Sequence, residues 1–527
     1  MVEEGSREAS RSLPHLIEHT AARCPESCAL AWDGVRVTYA GLARESARAA
    51  AGLRRLGFRR GDRLALWLPN RPEWIALLLA AARLGVVTVA VNTRYRAAEL
   101  AHVLRVSGAR GVALQPGFLE LDFAGILNEP GMPSVEHVIA VGERSADGCE
   151  PYSTLLEHGR LTDLGEPEDL AAVFTTSGTT ASPKLAAHDQ AGCVQHARAV
   201  ASGLGLGESD AMLCSLPLCG VFGFSGALAA LAGGARLVLQ DPYEADAAAR
   251  LLAEHRVTHF YGPDTMLRSV LASPAFDAAA SRWRWGGFAN FTGASLELLR
   301  EAEARAGVPL VGLYGSSEGF ALLSMWRQDQ PPEERALGGG YPVGPEFQVR
   351  TGDPETGEPL EHGQDGELQL RGPNVAREYL GNEEATRAAR TPDGWFRTGD
   401  LGHTRADGSF VYLARLKDSL RVRGYLVDPA EIEEHLQRHP AVEVAQVVGV
   451  RRPGEGDLPV AFVRLRAGAA AEPSELLEHC RRSIAGYKVP RAVEVVDAFP
   501  VTGGPNGDKV QKVRLRELAE EVLGQSG

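Results

Sequence analysis

The chain has 527 residues, with 55 Lys and Arg against 68 Asp and Glu for a formal charge of −13. At about 150 residues per domain it has room for roughly two to four domains and a large buried core. The acidic balance excludes a chain whose main task is gripping nucleic acid or an anionic membrane surface, since both need clustered positive charge; 44% hydrophobic and 23% charged residues exclude a disordered or collagen-like chain.

The first residues, MVEEGSREASRS, are charged and lack the apolar run of a secretory signal, so a cytoplasmic location is expected. Helix-spaced apolar residues over 40–56 and 244–255 alternate with short β-branched runs at 86–91 and 236–239, the pattern of a doubly wound α/β body. The longest apolar stretch, 74–91, is interrupted by Arg83 and Gly85 and reads as a helix turning into a strand rather than a membrane span. From about residue 340 the texture changes to short strands separated by turn residues, a β-rich subdomain over 340–413. The charged, aperiodic stretch 414–423 reads as a linker. Beyond it a helix over 429–439, with Pro429 at its start, and strands at 442–450 and 458–465 predict a small α+β unit. Seven scattered cysteines with no CxxC pair point to neither a disulfide framework nor a zinc site.

The segment 175–184, TTSGTTASPK, crowds hydroxyls around Gly178 and ends on Lys184. Backbone N–H groups, hydroxyls and one cation are what a polyphosphate requires, although a Ser/Thr/Gly-rich segment taken alone is equally an ordinary solvated turn. It is followed in order by LYGSSE at 313–318, GELQLR at 366–371, WFRTGDLG at 395–402, ARLKDSLRVRG at 414–424 and GDKVQK at 507–512. With this ordered set the chain resembles, over almost its whole length, the adenylate-forming (AMP-binding) superfamily of acyl-CoA synthetases, stand-alone adenylation enzymes and luciferases.

The resemblance implies a fold: a large lobe over 1–416 made of doubly wound α/β subdomains and a small β-barrel-like subdomain, plus a small mobile α+β lid over 417–527. It also implies roles. Thr176, Ser177, Gly178, Thr179, Thr180 and Lys184 would close on the β- and γ-phosphates of ATP, with Thr179 serving the chemistry. Tyr314 would stack on adenine beside Gly315 and Ser316, Ser317 would bond the α-phosphate, and Glu318 would hold Mg²⁺, a hard cation suited to oxygen ligands. Asp400, an acceptor-only carboxylate, would take both ribose hydroxyls; Tyr412 would lie against the ribose and Arg415 would reach ribose or phosphate. Lys509 would place a cation on the reacting oxygens during adenylation, with Lys512 as the fallback because Asp508 stands where the family has Gly. Lys417 occupies the hinge position, and Gly424 would let a pantetheine arm pass close to backbone.

By position relative to these motifs, an acyl pocket is expected from Gly220, Phe222, Phe224, Tyr261, Phe288, Phe291, Gly312 and Phe320. The family often has His or an aromatic residue where Gly220 stands, and relatives that activate amino acids usually place an Asp in this region, whereas 214–226 contains no acid. The implied activity is an ATP-, Mg²⁺- and CoA-dependent acid:CoA ligase acting on an aryl, cinnamyl or medium-length acid. Kept beside it are transfer of the acid to a carrier-protein thiol or an amine, and adenylation of another oxyanion such as nitrite. A different class, a non-catalytic nucleotide-binding scaffold, is raised by the departures at Ala181, Leu185, Gly220 and Asp508.

Overall fold

The computed structural model describes residues 12–144, 148–176, 183–290, 295–416, 420–422, 425–427, 429–452, 456–484, 486, 488–504 and 507–525. Two sheets organise the large lobe. One has a parallel core formed by Ala211–Cys214, Arg236–Leu239, His259–Pro263, Trp285–Ala289 and Val311–Tyr314, joined in parallel by Cys28–Trp32. The other carries the parallel strands Arg63–Trp67, Val87–Ala90, Gly111–Leu114, His137–Ala140 and Leu170–Thr175. Parallel sheets must be covered on both faces, and the strands are accordingly near-continuous in apolar residues.

The helices Tyr39–Arg55, Pro72–Leu84, Gln190–Leu204 and Val221–Gly233 lie between the sheets and share one core with both, and Leu13–Arg23 packs its buried face into the same core. Val221–Gly233 is buried along almost its whole length, as its lack of a polar face requires. Pro72–Leu84 starts on Pro72, which loses nothing at a first-turn position, and ends at Gly85, whose left-handed φ of 66° lets its N–H reach back to Ala81 O. The outer faces are closed by separate cores: Ala245–Glu254, Asp264–Ala272 and Ser295–Ala306 on the first sheet, and Ala97–Ser107 with Phe123–Leu127 on the second. The result is helix, sheet, helix, sheet, helix.

The β-rich stretch is antiparallel and continues the first sheet edge to edge, through Ser324–Met325, Gly338–Pro342, Phe410–Arg415, Phe396–Thr404, Gly366–Arg371 and Gln348–Gly352. The expected linker at 414–423 is strand at both ends. Ala414 and Arg415 finish Phe410–Arg415, and Leu420–Val422 opens the small lobe's sheet. Arg415 pairs in register with Asp400, so its charge is answered across the sheet by that carboxylate, which a composition-based reading misses.

The small lobe builds its own core from Val442–Arg452, Gly456–Leu465 and Ala492–Val495 under the helices Pro429–Gln437, Pro473–Ser483 and Lys512–Gln525. Its contacts with the large lobe include the packing of Pro429–Gln437 near Phe410–Arg415 and an ion pair between Arg466 and Glu297, 2.7 Å apart. Among the described residues no helix is long and apolar enough to cross a membrane.

Candidate active site

Open α/β sheets bind ligands beyond the carboxyl ends of their strands, and there the motif residues collect. Leu170–Thr175 delivers Thr176, whose N–H donates to Lys184 O at 2.9 Å and so pins the two ends of the intervening loop together. The loop residues Ser177, Gly178, Thr179 and Thr180 lie outside the described residues, as do Phe291, Lys417 and Gly424.

Val311–Tyr314 delivers Tyr314 and then Gly315, Ser316, Ser317 and Glu318. Just beyond, Phe320, Ala321 and Leu322 have φ of 68°, 50° and 39°, three consecutive non-glycine residues in the left-handed region. Such a conformation costs about 1–2 kcal/mol per residue and persists only when its surroundings over-determine it. Here Ala321 N donates to Ser316 O at 2.9 Å and Leu323 N to Tyr314 O at 2.9 Å. The Phe320 ring is locked among His188, His196 and Phe224, at 4.7, 5.4 and 5.8 Å between centroids. Gly315 is required, because a Cβ there would stand 2.6 Å from Ala321 Cα.

The Tyr314 hydroxyl donates to Asp400 Oδ2 at 2.7 Å, and Arg415 Nε stands 3.0 Å from Asp400 Oδ1 without an aligned hydrogen bond. Burial lifts the Asp400 carboxyl above its ordinary pKa, against the opposing pull of Arg415 and Tyr314. Burial works against the Arg415 charge, yet Asp400 and the neighbouring tyrosines leave its pKa raised on balance. Tyr412 faces Tyr314 at 5.6 Å. On the other side, the Tyr379 hydroxyl donates to Glu318 Oε1 at 2.8 Å, and Lys184 Nζ lies 4.7 Å from the Tyr379 ring centroid. One continuous group therefore runs from Lys184 through Tyr379 to Glu318, with Tyr314, Asp400, Tyr412 and Arg415 beside it.

His188 Nε2 faces Ser317 O at 2.8 Å, and complete burial lowers its pKa to about 4. A neutral imidazole facing a carbonyl must carry its proton on that nitrogen, so His188 donates and fixes the Ser317 backbone. Asn70, 1% exposed, joins the two sheets: its Nδ2 donates to Leu216 O and Gln240 O at 2.9 and 3.0 Å, and its Oδ1 accepts from Leu218 N at 2.7 Å. It thereby sets the course of the loop that ends at Gly220.

The expected pocket residues do not form one wall. Gly220 precedes the helix carrying Phe222, whose ring lies 5.1 Å from Tyr261, and the Tyr261 hydroxyl donates to Phe222 O at 2.9 Å. Phe224 packs in the core against Trp74, Phe174 and Phe320. Phe288 sits in the outer core of the first sheet: Tyr261 is level with Gly287 and Phe288 with Gly262, so the pleat turns Tyr261 and Phe288 to opposite faces. Gly312 faces backbone, since a Cβ would meet Leu337 O at 2.0 Å.

In the small lobe Lys509 is level with Thr502 in the hairpin of Val501–Gly504 and Gly507–Val510; its side chain lies outside the described residues. Lys512, the fallback, is engaged within the lobe, with Nζ 3.0 Å from Glu433 Oε1, an oxygen that also accepts Val447 N.

Residues 17–380 match the AMP-binding enzyme family, and residues 431–504 match the AMP-binding enzyme C-terminal domain. This chain belongs to the AMP-binding enzyme family. It is 32% identical over 520 residues to 3-[(3aS,4S,7aS)-7a-methyl-1,5-dioxo-octahydro-1H-inden-4-yl]propanoyl:CoA ligase of Mycobacterium tuberculosis (strain ATCC 25618 / H37Rv), covering 96% of this chain and 99% of that protein. It is 29% identical to the mitochondrial medium-chain acyl-CoA ligase ACSF2 of Rattus norvegicus, over 98% of this chain and 88% of the relative. The crystal structure of the anthranilate CoA ligase AuaEII in complex with anthranoyl-AMP superimposes with a TM-score of 0.85 at 25% identity, covering 98% of each chain.

Proposed function

We propose that the chain is an ATP-dependent acid:CoA ligase for an uncharged-tailed aryl, cinnamyl or medium-length carboxylic acid. The observation that carries this reading is the convergence of Lys184, Glu318, Tyr314, Asp400 and Arg415 on the carboxyl ends of the strands, in a chain whose named relatives are acyl-CoA ligases. Apolar Cys219, Val221, Phe222 and Tyr261 around Gly220 support a tail without a second charge.

In this reading Asp400 takes the ribose hydroxyls with its partly engaged carboxylate, Tyr314 and Tyr412 flank the base and sugar, and Lys184 with the 176–180 loop holds the terminal phosphates. Among the described residues no group of three His, Cys, Asp or Glu side chains is placed to cage a metal, which fits a cation held by one carboxylate and by substrate phosphates. Glu318 would hold that Mg²⁺, which when bound neutralises charge on the phosphate oxygens. The substrate carboxylate attacks the α-phosphorus, pyrophosphate leaves, and Lys509 stabilises the charge that develops. Rotation of the 417–527 lobe at Lys417 then brings Gly424 to the thiol path, the CoA sulfur attacks the acyl carbonyl, and AMP leaves.

The test is pyrophosphate release with ATP and Mg²⁺ over aryl, cinnamyl and aliphatic acids and nitrite, each with and without CoA. Release with one acid class that rises with CoA is expected. Release indifferent to CoA would assign the acceptor to a carrier-protein thiol or an amine, and silence with every acid would refute the ligase reading.

A further inference from the structure

Tyr379 stands where two parts of the site, Lys184 and Glu318, meet, although no motif announces it. It ends the two-residue strand Glu378–Tyr379, which adds to the edge of Leu185–Asp189 with Tyr379 level with Ala186, two residues after Lys184. Its ring lies 4.7 Å from Lys184 Nζ and its hydroxyl donates to Glu318 Oε1 at 2.8 Å, while the whole residue is 7% exposed. The same segment grips Glu318 a second way. Ala376 N donates to Glu318 O at 2.7 Å, and Asn374 Nδ2 donates to the next carbonyl, Gly319 O, at 2.6 Å. Glu318 is thus fixed at its backbone and at one carboxylate oxygen by a single stretch of chain that also contacts Lys184.

We infer that Tyr379 is a positioning residue that holds the Lys184 ammonium and the Glu318 carboxylate in one frame, keeping them apart and ready for ATP and its metal. The inference rests on the phosphate and metal roles proposed above for Lys184 and Glu318. Lys184 and Glu318 both contact this one residue, and with the ring gone nothing in this frame would keep the ammonium and the carboxylate from drawing together, each cancelling the other's use. With it, the ammonium rests on the electron-rich face and the hydroxyl occupies Oε1, while among the described residues no hydrogen bond engages Oε2, the oxygen proposed for the cation.

The experiment compares the full chain with Tyr379→Phe, which removes one oxygen and keeps the ring, and with Tyr379→Leu, which removes the ring as well. ATP binding is measured calorimetrically with Mg²⁺ and again in EDTA. Tyr379→Phe is expected to weaken binding in Mg²⁺ by about tenfold, the loss of a hydrogen bond to a charged group, and to leave binding in EDTA within about twofold. Tyr379→Leu is expected to weaken binding in EDTA as well. A Tyr379→Phe protein that keeps the full Mg²⁺ advantage, or that weakens equally with and without Mg²⁺, overturns the inference. Glu318→Gln separates the two levels. Should the Mg²⁺ advantage survive in Glu318→Gln, the metal assignment fails and the inference falls with it; should Glu318→Gln lose the advantage while Tyr379→Phe retains it, the Tyr379 inference alone is refuted.

Discussion

Acidification from pH 7 to pH 5 should destabilise the large lobe markedly, and two buried histidines set the scale. His188 and His196 are fully enclosed, and burial holds their pKa values down to about 4 and about 3, against 6.5 for an exposed ring. Each folded value lies below the unfolded one, so the unfolded chain takes up protons first. Stability from keeping these rings neutral is complete above about pH 6.5 and drains away as the pH falls toward the folded values. At pH 5 each ring has lost about 1.5 units at 1.36 kcal/mol per unit, about 2 kcal/mol, and the pair about 4 kcal/mol. That is a large share of a domain's usual 5–15 kcal/mol, on the order of a third or more. His196 lends itself to isolation: its ring lies near the Ala321 backbone without an aligned hydrogen bond, and neither nitrogen has a partner among the described residues. His196→Leu therefore removes one titration without orphaning a neighbour. Urea unfolding followed by tryptophan fluorescence at pH 7, 6 and 5 should show the variant losing about 2 kcal/mol less than the parent over that interval. Parallel pH profiles for the two proteins would refute the reasoning.

Lys509→Ala should lower pyrophosphate release by about 10²–10³-fold while thioester formation from supplied acyl-adenylate persists, since its charge is assigned to the first half-reaction alone. Asn70→Ala strips hydrogen bonds from carbonyls at Leu216 and Gln240 and from Leu218 N; it should cost about 2–4 kcal/mol in urea unfolding and raise the KM for the acid more than that for ATP. Gly312→Ala drives a Cβ to 2.0 Å from Leu337 O, and differential scanning calorimetry should register a loss of about 1–3 kcal/mol.

Much of the architecture is legible from hydrophobic period and punctuation, because parallel strands buried on both faces leave apolar runs that helices separate. The ordered motifs likewise place Tyr314, Glu318, Asp400 and Arg415 in a common region before any fold is known. What escapes is decided by pairing across long sequence distances. The backbone at 414–415 reads as linker until Arg415 is seen level with Asp400 in a strand pair, and Phe288 looks like a pocket wall until the pleat turns it away from Tyr261. Tyr379 sits in a strand of two residues, too short to carry a period, and Asn70 follows a strand in a polar turn where nothing marks it as the tie between two sheets.

The Arg466–Glu297 contact between the lobes has a kinetic meaning. Both side chains are nearly half exposed, at 41% and 47%, and pairs in that setting contribute about 1 kcal/mol at most, roughly a fivefold bias in population. If the 417–527 lobe rotates as proposed, this pair by itself would neither hold it nor resist its departure. On that reading the occupant of the cleft, through whichever lobe orientation it binds more tightly, would govern the timing of each turnover, and raised ionic strength should weaken this pair.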